Sequence, residues 1–454
     1  MRRIDYLLGV KGSPKRNLVV FFSLTYLSYS VMYVSRKVFS IAKPFIKVDG
    51  SLYPPVDSHA LGLIDTMFLG SYAVFQVLLP SLAPRIGTKK LLVTCFTVAA
   101  VFCHLFGVAR EPAQFSLCWL IEGVAHAPVF ALLLDVLSPH IPVTSKSTYL
   151  GIWSTCQQLG SVLSTLFSAY ICGHYGWRSA FLFAAVLTLL NANALYFWLP
   201  SDTAMKPSKS EAGIELHRLD AEAPTELVPP PPPATLLETF QVTNIVHCSF
   251  AYFTTKLTRY GLLFWLPYFL AEHFGLSPEP AGYASILFDI GGVVGAVFAG
   301  RVADEYFGKR CLTVAMLAMV MSCCCLFVLA FLCTLPVASD YVTQLVLSVV
   351  IVTGFFIAGA DTLLGASSPS VVLERYKPSG ASDGKPSPAL TTAAGIVNGL
   401  GSFGGTLQGI LCPLITQTWG WHGFFFFLAV SGLVGAVALV PSVRIDYFTR
   451  GITS

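Results

Sequence analysis

Thr25–Pro44, TYLSYSVMYVSRKVFSIAKP, continues an almost wholly apolar segment, 18–27, into the adjacent cations Arg36 and Lys37. On a helix, Tyr26, Tyr29, Tyr33, Arg36 and Ser40 fall at i, i+3, i+7, i+10 and i+14, which is one stripe. The helix is therefore apolar at one end and aromatic, hydroxylic and cationic toward the other. Two readings fit that pattern. The basic residues reach back to lipid headgroups, or they form an anion-binding wall inside a membrane bundle.

Composition decides the class. The 454 residues are 54% hydrophobic and only 11% charged, with a mean hydropathy of +0.68. A soluble chain of this size does not combine so much apolar surface with so little charge, so a multi-pass membrane protein is implied. The net charge of +4 is dispersed among loops and carries no nucleic-acid signature. The basic start, Met1–Arg16, leads directly into a full-length apolar span, which is not the layout of a cleavable signal. The 12 cysteines lie almost entirely in apolar segments, Cys323–Cys325 consecutively, without metal-ligand spacing. Core packing is their expected role, and no metal or cofactor is expected.

Spans of roughly 17–25 apolar residues read near 17–39, 60–82, 91–109, 113–137, 149–173 and 179–199. A second set reads near 242–270, 281–303, 311–335, 341–366, 390–415 and 421–441. Between them, 200–238 is polar and holds five consecutive prolines, Pro229–Pro233, the signature of an extended tether. Five segments follow: an N-terminal tail 1–16, a six-helix half 17–199, the linker 200–238, a second half 239–443 and a tail 444–454. Basic residues gather on one side: the N-terminus, Arg85, Lys89, Lys90, Lys146, the linker, 301–310, 375–385 and the C-terminus. The other side has Lys43, Lys47, Arg110 and Arg178. By the positive-inside rule both termini and the linker are cytosolic. The halves repeat. Gly87-Thr-Lys-Lys-Leu-Leu-Val matches Gly308-Lys-Arg-Cys-Leu-Thr-Val, and Gly176-Trp-Arg-Ser-Ala-Phe-Leu-Phe matches Gly420-Trp-His-Gly-Phe-Phe-Phe-Phe. An all-α membrane protein of twelve helices in two pseudo-symmetric halves is the layout of the major facilitator fold, whose site lies at the midplane between the halves.

Polar residues at membrane depth then point to that site. In span seven, Tyr252, Lys256 and Arg259 sit at i, i+4 and i+7, so the first helix of each half carries a cation pair on one face. Cations converging across a cavity suit a dianion: arginine offers two-pronged donors and lysine a point charge. The competing expectation is plain pairing with Asp65, Glu122, Asp135, Asp289 or Asp361, credible for one or two of the four cations. Asp289, mid-span eight, is expected to hold a span-seven cation while the site is empty. Asp65 reads as structural or gating. Glu122 and His126 are four apart and able to pair, and Asp361 has no assigned role. Span five carries Ser154, Gln157, Ser161, Thr165 and Ser168 on one side; span eleven carries Gly395, Asn398, Ser402 and Thr406. Both stripes suit a wet cavity or plain helix packing. No Ser–His–Asp, HExxH, Walker or Rossmann pattern occurs in its required context.

At these residues the chain resembles the organophosphate:phosphate antiporters, which include bacterial glycerol-3-phosphate and hexose-phosphate antiporters and eukaryotic sugar-phosphate exchangers. TYLSYSVMYVSRKVFSIAKP looks like their first span. Further similarity lies in LGLIDTMFLGSYAVF (61–75), GIWSTCQQLGS (151–161), KLTRYGLLFWLPYFL (256–270), ILFDIGGVVGAVFAG (286–300) and GIVNGLGSFGGTL (395–407). Spans seven, eight and eleven look nearest the eukaryotic glucose-6-phosphate exchangers, whereas Arg259-Tyr-Gly looks like the bacterial glycerol-3-phosphate branch. The resemblance implies phosphate-binding arginines at Arg36 and Arg259, cations beside them at Lys37 and Lys256, tyrosines at Tyr29 and Tyr33, and an acid at Asp289. Gln157 and Asn398 join them as candidate substrate contacts. The chain departs from some bacterial members in having Gln76 for a span-two lysine and Gln157 for a span-five histidine. The fold's Gly-x-x-x-Asp-Arg gating turn is degraded at Pro80–Arg85 and kept only as Gly300–Asp304, which leaves Asp304 as a gating candidate.

The implied function is exchange of a phosphorylated sugar or glycerol phosphate, glucose 6-phosphate favoured, for inorganic phosphate, not an enzymatic reaction. An organic-anion (carboxylate) carrier and a non-transporting sugar-phosphate sensor are the alternatives. The expected partners are the phosphorylated small molecule, inorganic phosphate and membrane lipid, with no nucleic acid and a monomeric carrier. The endoplasmic reticulum membrane is the favoured location, ahead of the plasma membrane or another organelle.

Overall fold

The computed structural model describes residues 14–52, 54–137, 140–141, 149, 152–153, 155–200, 243–307, 310–335, 340–367 and 388–450. Most of the N-terminal tail, the proline-rich linker, Ser154, Lys146, the 375–385 loop and the last four residues lie outside this set. Within it every regular element is helical. The first half contains α1 (Pro14–Lys47), α2 (Ser58–Leu78), α3 (Thr88–Val108), α4 (Pro112–Leu137, stepped at Ala127–Pro128), α5 (Cys156–Tyr175) and α6 (Trp177–Trp198). The second contains α7 (Thr243–Phe274), α8 (Pro278–Glu305), α9 (Cys311–Leu332) and α10 (Asp340–Thr362), which ends in a π turn, Leu363–Ser367. A last helical run, Pro388–Arg450, breaks at Gly420 (φ 68°, ψ −174°) into α11 (388–419) and α12 (421–450).

Among the described residues, eight helical stretches are long and apolar enough to cross a membrane, the last of them, Ile396–Arg444, running from α11 into α12. Helices α5 and α7 are comparably long but more polar, and both line the site described below. The internal repeat shows in the backbone. Gly176, between α5 and α6, and Gly420, between α11 and α12, both take positive φ (82° and 68°), a conformation open to glycine and strained for other residues. The matched Gly-Trp motifs therefore make the same bend in each half.

The packing of apolar residues fixes how the halves meet. One core takes residues from both halves, including Phe39, Trp119 and Phe181 from the first and Trp265, Phe269 and Phe425 from the second. It occupies the end of the bundle where α1 finishes and α2 begins. At the opposite end, which carries the basic 85–90 loop, the cores are separate. One is built only from the first half (Leu18, Phe96, Leu133, Trp153, Leu195) and the other only from the second (Ile245, Ala315, Leu364, Val397, Leu439). The molecule is thus joined across its far end and divided toward its basic end. The pattern repeats in polar contacts. Up to Tyr33, α1 bonds within its own half, through Tyr26–Thr155, Ser28–Asn191 and Tyr33–Gln157. From Arg36 onward it bonds across, to Tyr260, Asp289, the carbonyls of Leu263 and Phe264, and Glu272. The far ends of α2 and α11 approach closely, and a Cβ on Gly62 would lie 2.0 Å from the Gly409 carbonyl oxygen.

One boundary that bears on the buried charges differs from the sequence reading. Span one ends at Lys47, not near residue 39, and Lys43 belongs to the buried helix, not to a loop. Lys43 is 0% exposed, ion-paired with Asp65, 3.0 Å from the Phe264 carbonyl oxygen and over the Trp265 ring. A lysine in sequence reads as the end of a span because its charge resists burial. Here a carboxylate one helix away neutralises it and the helix continues.

Breaking a buried pair on one side leaves an uncompensated charge, whereas replacing both partners does not. Asp65→Leu is therefore expected to destabilise the protein by about 3–5 kcal/mol, and Lys43→Met combined with Asp65→Leu to recover most of it. Thermal unfolding in detergent checks this; simple additivity of the two substitutions would show that the pair is not coupled.

Candidate functional site

Where the shared core divides in two, four cations from α1 and α7 come together. Arg36 is 5% exposed. Its guanidinium carbon lies 4.8 Å from the Tyr72 ring centroid and 5.3–5.4 Å from those of Tyr33, Phe68 and Tyr260. Its Nη2 donates to the Tyr260 hydroxyl at 3.1 Å, and its buried Nε has no hydrogen-bond partner among the described residues. No carboxylate forms an ion pair with Arg36 among them either. The cation is held by aromatic faces, whose negative quadrupoles partly replace water.

Lys37, on the next face of α1, is ion-paired with Asp289 of α8 and donates to Ser161 Oγ of α5 at 2.8 Å. Asp289 therefore holds a span-one cation and not a span-seven one, contrary to the expectation from sequence. The reason is geometric: α8 packs beside α1 and α5, so a carboxylate midway along it faces the other half. Arg259 finds its acid elsewhere, on Asp361 of α10, and that pair is partly exposed, at 17% and 12%. Lys256 has no carboxylate partner among the described residues. It donates to Ser402 Oγ at 3.2 Å and to the Asn398 carbonyl oxygen at 3.4 Å, and lies over the Tyr252 ring. Two of the four cations are thus paired with acids, within the range that simple pairing allowed.

Tyr260 joins the two sides. It bonds to Arg36 and lies within electrostatic reach of Lys256, Arg259 and Asp361 as well. Tyr33 sits on the opposite wall, near both arginines, and donates to Gln157 Oε1 at 3.0 Å. Tyr29 lies one turn nearer the basic end, packed on Tyr33, Phe130 and Trp153. Asn398 meets Lys256 through its backbone, and Gln76 reaches the same group by donating to Ser402 Oγ at 3.1 Å. In the span-five stripe, Gln157 and Ser161 bond residues of the site, while Thr165 and Ser168 are buried and Thr165 bonds back to the Ser161 carbonyl oxygen, so the stripe serves both site and packing.

Asp65 belongs to the far-end junction with Lys43, not to this cluster. Asp304 is exposed near the basic end of α8, fifteen residues or about 22 Å along the helix from Asp289. Glu122 is fully buried with its oxygens unbonded among the described residues; His126 lies 3.9 Å away and 3.0 Å from Ser35 Oγ. Sequence reasoning missed Tyr72 and Tyr260 as parts of the site and left Asp361 unplaced. Tyr260 carried a signal, since it adjoins Arg259; Tyr72 and Asp361 are ordinary residues of their spans until the fold brings them together.

The arrangement can hold a small anion between two half-molecules, with aromatic walls and hydroxyl donors around it. The profile of the Major Facilitator Superfamily matches residues 25–382. The chain is 25% identical to sugar phosphate exchanger 3 of Xenopus laevis, over 93% of this chain and 91% of that one. It is 25% identical to putative glycerol-3-phosphate transporter 2 of Arabidopsis thaliana, over 95% and 87%. It is 24% identical to the membrane sensor protein UhpC of Salmonella typhimurium, over 92% and 89%. Among solved structures, a D-xylose-proton symporter superposes with a TM-score of 0.68 at 13% identity, covering 92% of this chain and 96% of that one. A point mutant of the nucleoside transporter NupG superposes at 0.65 and 16%, covering 94% and 99%.

Proposed function

Because this chain belongs to the Major Facilitator Superfamily, we propose that it exchanges a phosphorylated sugar or glycerol phosphate for inorganic phosphate by alternating access, glucose 6-phosphate being the favoured organic substrate. One observation carries the reading. Four cations against two carboxylates leave two positive charges unmatched, on Arg36 and Lys256. A phosphate monoester at neutral pH carries a charge of about −1.5 to −2, which matches that residue of charge; a monocarboxylate does not. The sugar-phosphate and glycerol-phosphate transporter relatives support the same substrate class.

In this reading the anion enters from the basic end, where the cores of the halves are separate, and settles between Arg36 and Arg259. Tyr33, Tyr260 and Gln157 supply hydroxyl and amide contacts to the ligand. With the anion bound, the cations no longer oppose closure around it, since the cost of occluding unpaired charge is removed. Opening at the far end then requires parting the Lys43–Asp65 pair from the Phe264 carbonyl and breaking the Lys37–Asp289 and Lys47–Glu272 pairs, all of which now hold α1 against the second half. The basic end with both termini and the 200–238 linker faces the cytosol, the protein acts as a monomer, and the membrane is that of the endoplasmic reticulum. A second reading, a sugar-phosphate sensor that does not transport, is supported by the similarity to UhpC; flux separates the two.

Counterflow of labelled phosphate in proteoliposomes, against a panel of sugar phosphates and carboxylates, tests the proposal. Phosphate esters are expected to drive counterflow and monocarboxylates not to; binding without flux would support the sensor, and carboxylate-driven flux would refute phosphate selectivity. Arg36→Lys and Arg259→Lys keep the charge but lose the planar two-pronged donor, so each is expected to weaken phosphate binding about tenfold or more. Normal affinity in both would remove these arginines from the site. The charge match also predicts a pH dependence. Between pH 7.5 and 5.5 the apparent KM for total hexose phosphate should rise about fourfold, following the dianion fraction of a group with a second pKa of about 6. An unchanged KM would contradict selection of the dianion.

A further inference from the structure

The two ion pairs of the cluster differ in one respect. Lys37–Asp289 joins α1 to α8 and so spans the halves; it has to break when they move apart. Arg259–Asp361 joins α7 to α10 inside the second half and travels with it as a unit. Asp361 bonds Arg259 through Oδ2 only. Its Oδ1 is buried and has no hydrogen-bond partner among the described residues, so the carboxylate is incompletely satisfied where it stands. It shares its surroundings with Tyr252, Tyr260 and Lys256, the same residues that surround Arg259.

We propose that Asp361 is a resident anion that occupies Arg259 when the site is empty and lets the unloaded carrier reorient, so that the protein supports net anion movement in addition to exchange. The inference rests on the reading of the site given above. Its physical basis is the cost of occluding bare cations. Were Arg259 unpaired, an empty cavity would enclose it together with Arg36 and Lys256 as three desolvated like charges, and reorientation without cargo would be blocked. With Asp361 in place, Arg259 is neutralised in whichever orientation the half adopts, because both partners ride on that half. Arg36 spreads its charge over four aromatic rings, and Lys256 rests on the Ser402 hydroxyl, the Asn398 carbonyl and the Tyr252 ring. The remaining barrier to an empty return is correspondingly lower. Being tethered, Asp361 competes with free anion at a high effective concentration. It therefore also weakens apparent affinity, and a dianion with several acceptor oxygens displaces it.

The test uses the full chain in proteoliposomes and compares labelled phosphate uptake into vesicles loaded with phosphate and into vesicles holding buffer alone. The wild type is expected to fill unloaded vesicles at a measurable rate; none at all, with exchange intact, overturns the proposal. In Asp361→Asn the ratio of unloaded to loaded uptake should fall about tenfold, and phosphate binding measured by calorimetry should tighten by a similar factor. Asp361→Glu keeps the charge and should keep the ratio. An Asp361→Asn ratio equal to wild type, or weaker binding in that variant, overturns the proposal. Should Asp361→Asn not fold, Asp361→Ser carries the same expectation. If the wild type moves succinate and not phosphate, the substrate reading fails; the same pair of assays with labelled succinate then decides the role of Asp361 on its own.

Discussion

Charge at the depth of an apolar bundle is the constraint from which the rest of this structure follows. Arg36, Lys37, Lys256 and Arg259 are all placed where water is scarce, and an uncompensated ion there costs several kcal/mol by the effective estimate. Each cation has therefore been given a different form of compensation. Lys37 has an acid on the opposite half, Arg259 an acid on its own half, Arg36 a cage of aromatic faces, and Lys256 a hydroxyl, a carbonyl and one ring. The compensation is incomplete by two charges, and that shortfall is what a dianionic ligand supplies in the proposed function.

The same logic governs how the halves hold together. A single apolar core closes the far end, and the buried Lys43–Asp65 pair lies within it, tied across the interface by the Phe264 carbonyl and, more loosely at 3.5 Å, by Gln408 of α11. Nothing comparable joins the two separate cores at the basic end among the described residues. The site sits at the fork, so that a ligand reaching Arg36 touches both the fixed side and the divided side of the molecule. Cross-half bonds such as Lys37–Asp289 are bound to one orientation. The Arg259–Asp361 pair is not, and this is the difference between a latch and a resident counter-ion.

Much of this was legible in the chain. The tyrosine–arginine stripe of α1, the matching cations of α7 and the repeated Gly-Trp bends are local patterns, and local patterns survive folding because helix geometry alone dictates which residues share a face. Partners across helices were not legible in the same way. Asp289 reads from the sequence as the partner of a span-seven cation, but helix packing places it beside Lys37. Lys43 reads as loop because a lysine looks like the end of a span, and its neutralising acid lies 22 residues on. Tyr72 is one aromatic among many in α2 until Arg36 stacks on it. What a sequence withholds here is the pairing of ions, since a pair is a property of two helices and neither contains it.

Whether the unmatched charge of this cluster binds phosphate is decided by a structure determined with inorganic phosphate bound. Phosphate is expected between the two halves, with oxygens in hydrogen-bond reach of both Arg36 and Arg259, and Tyr260 at its edge. Phosphate found at another position, or a saturated protein with Arg36 still confined to its aromatic cage and making no contact with the anion, would contradict this expectation.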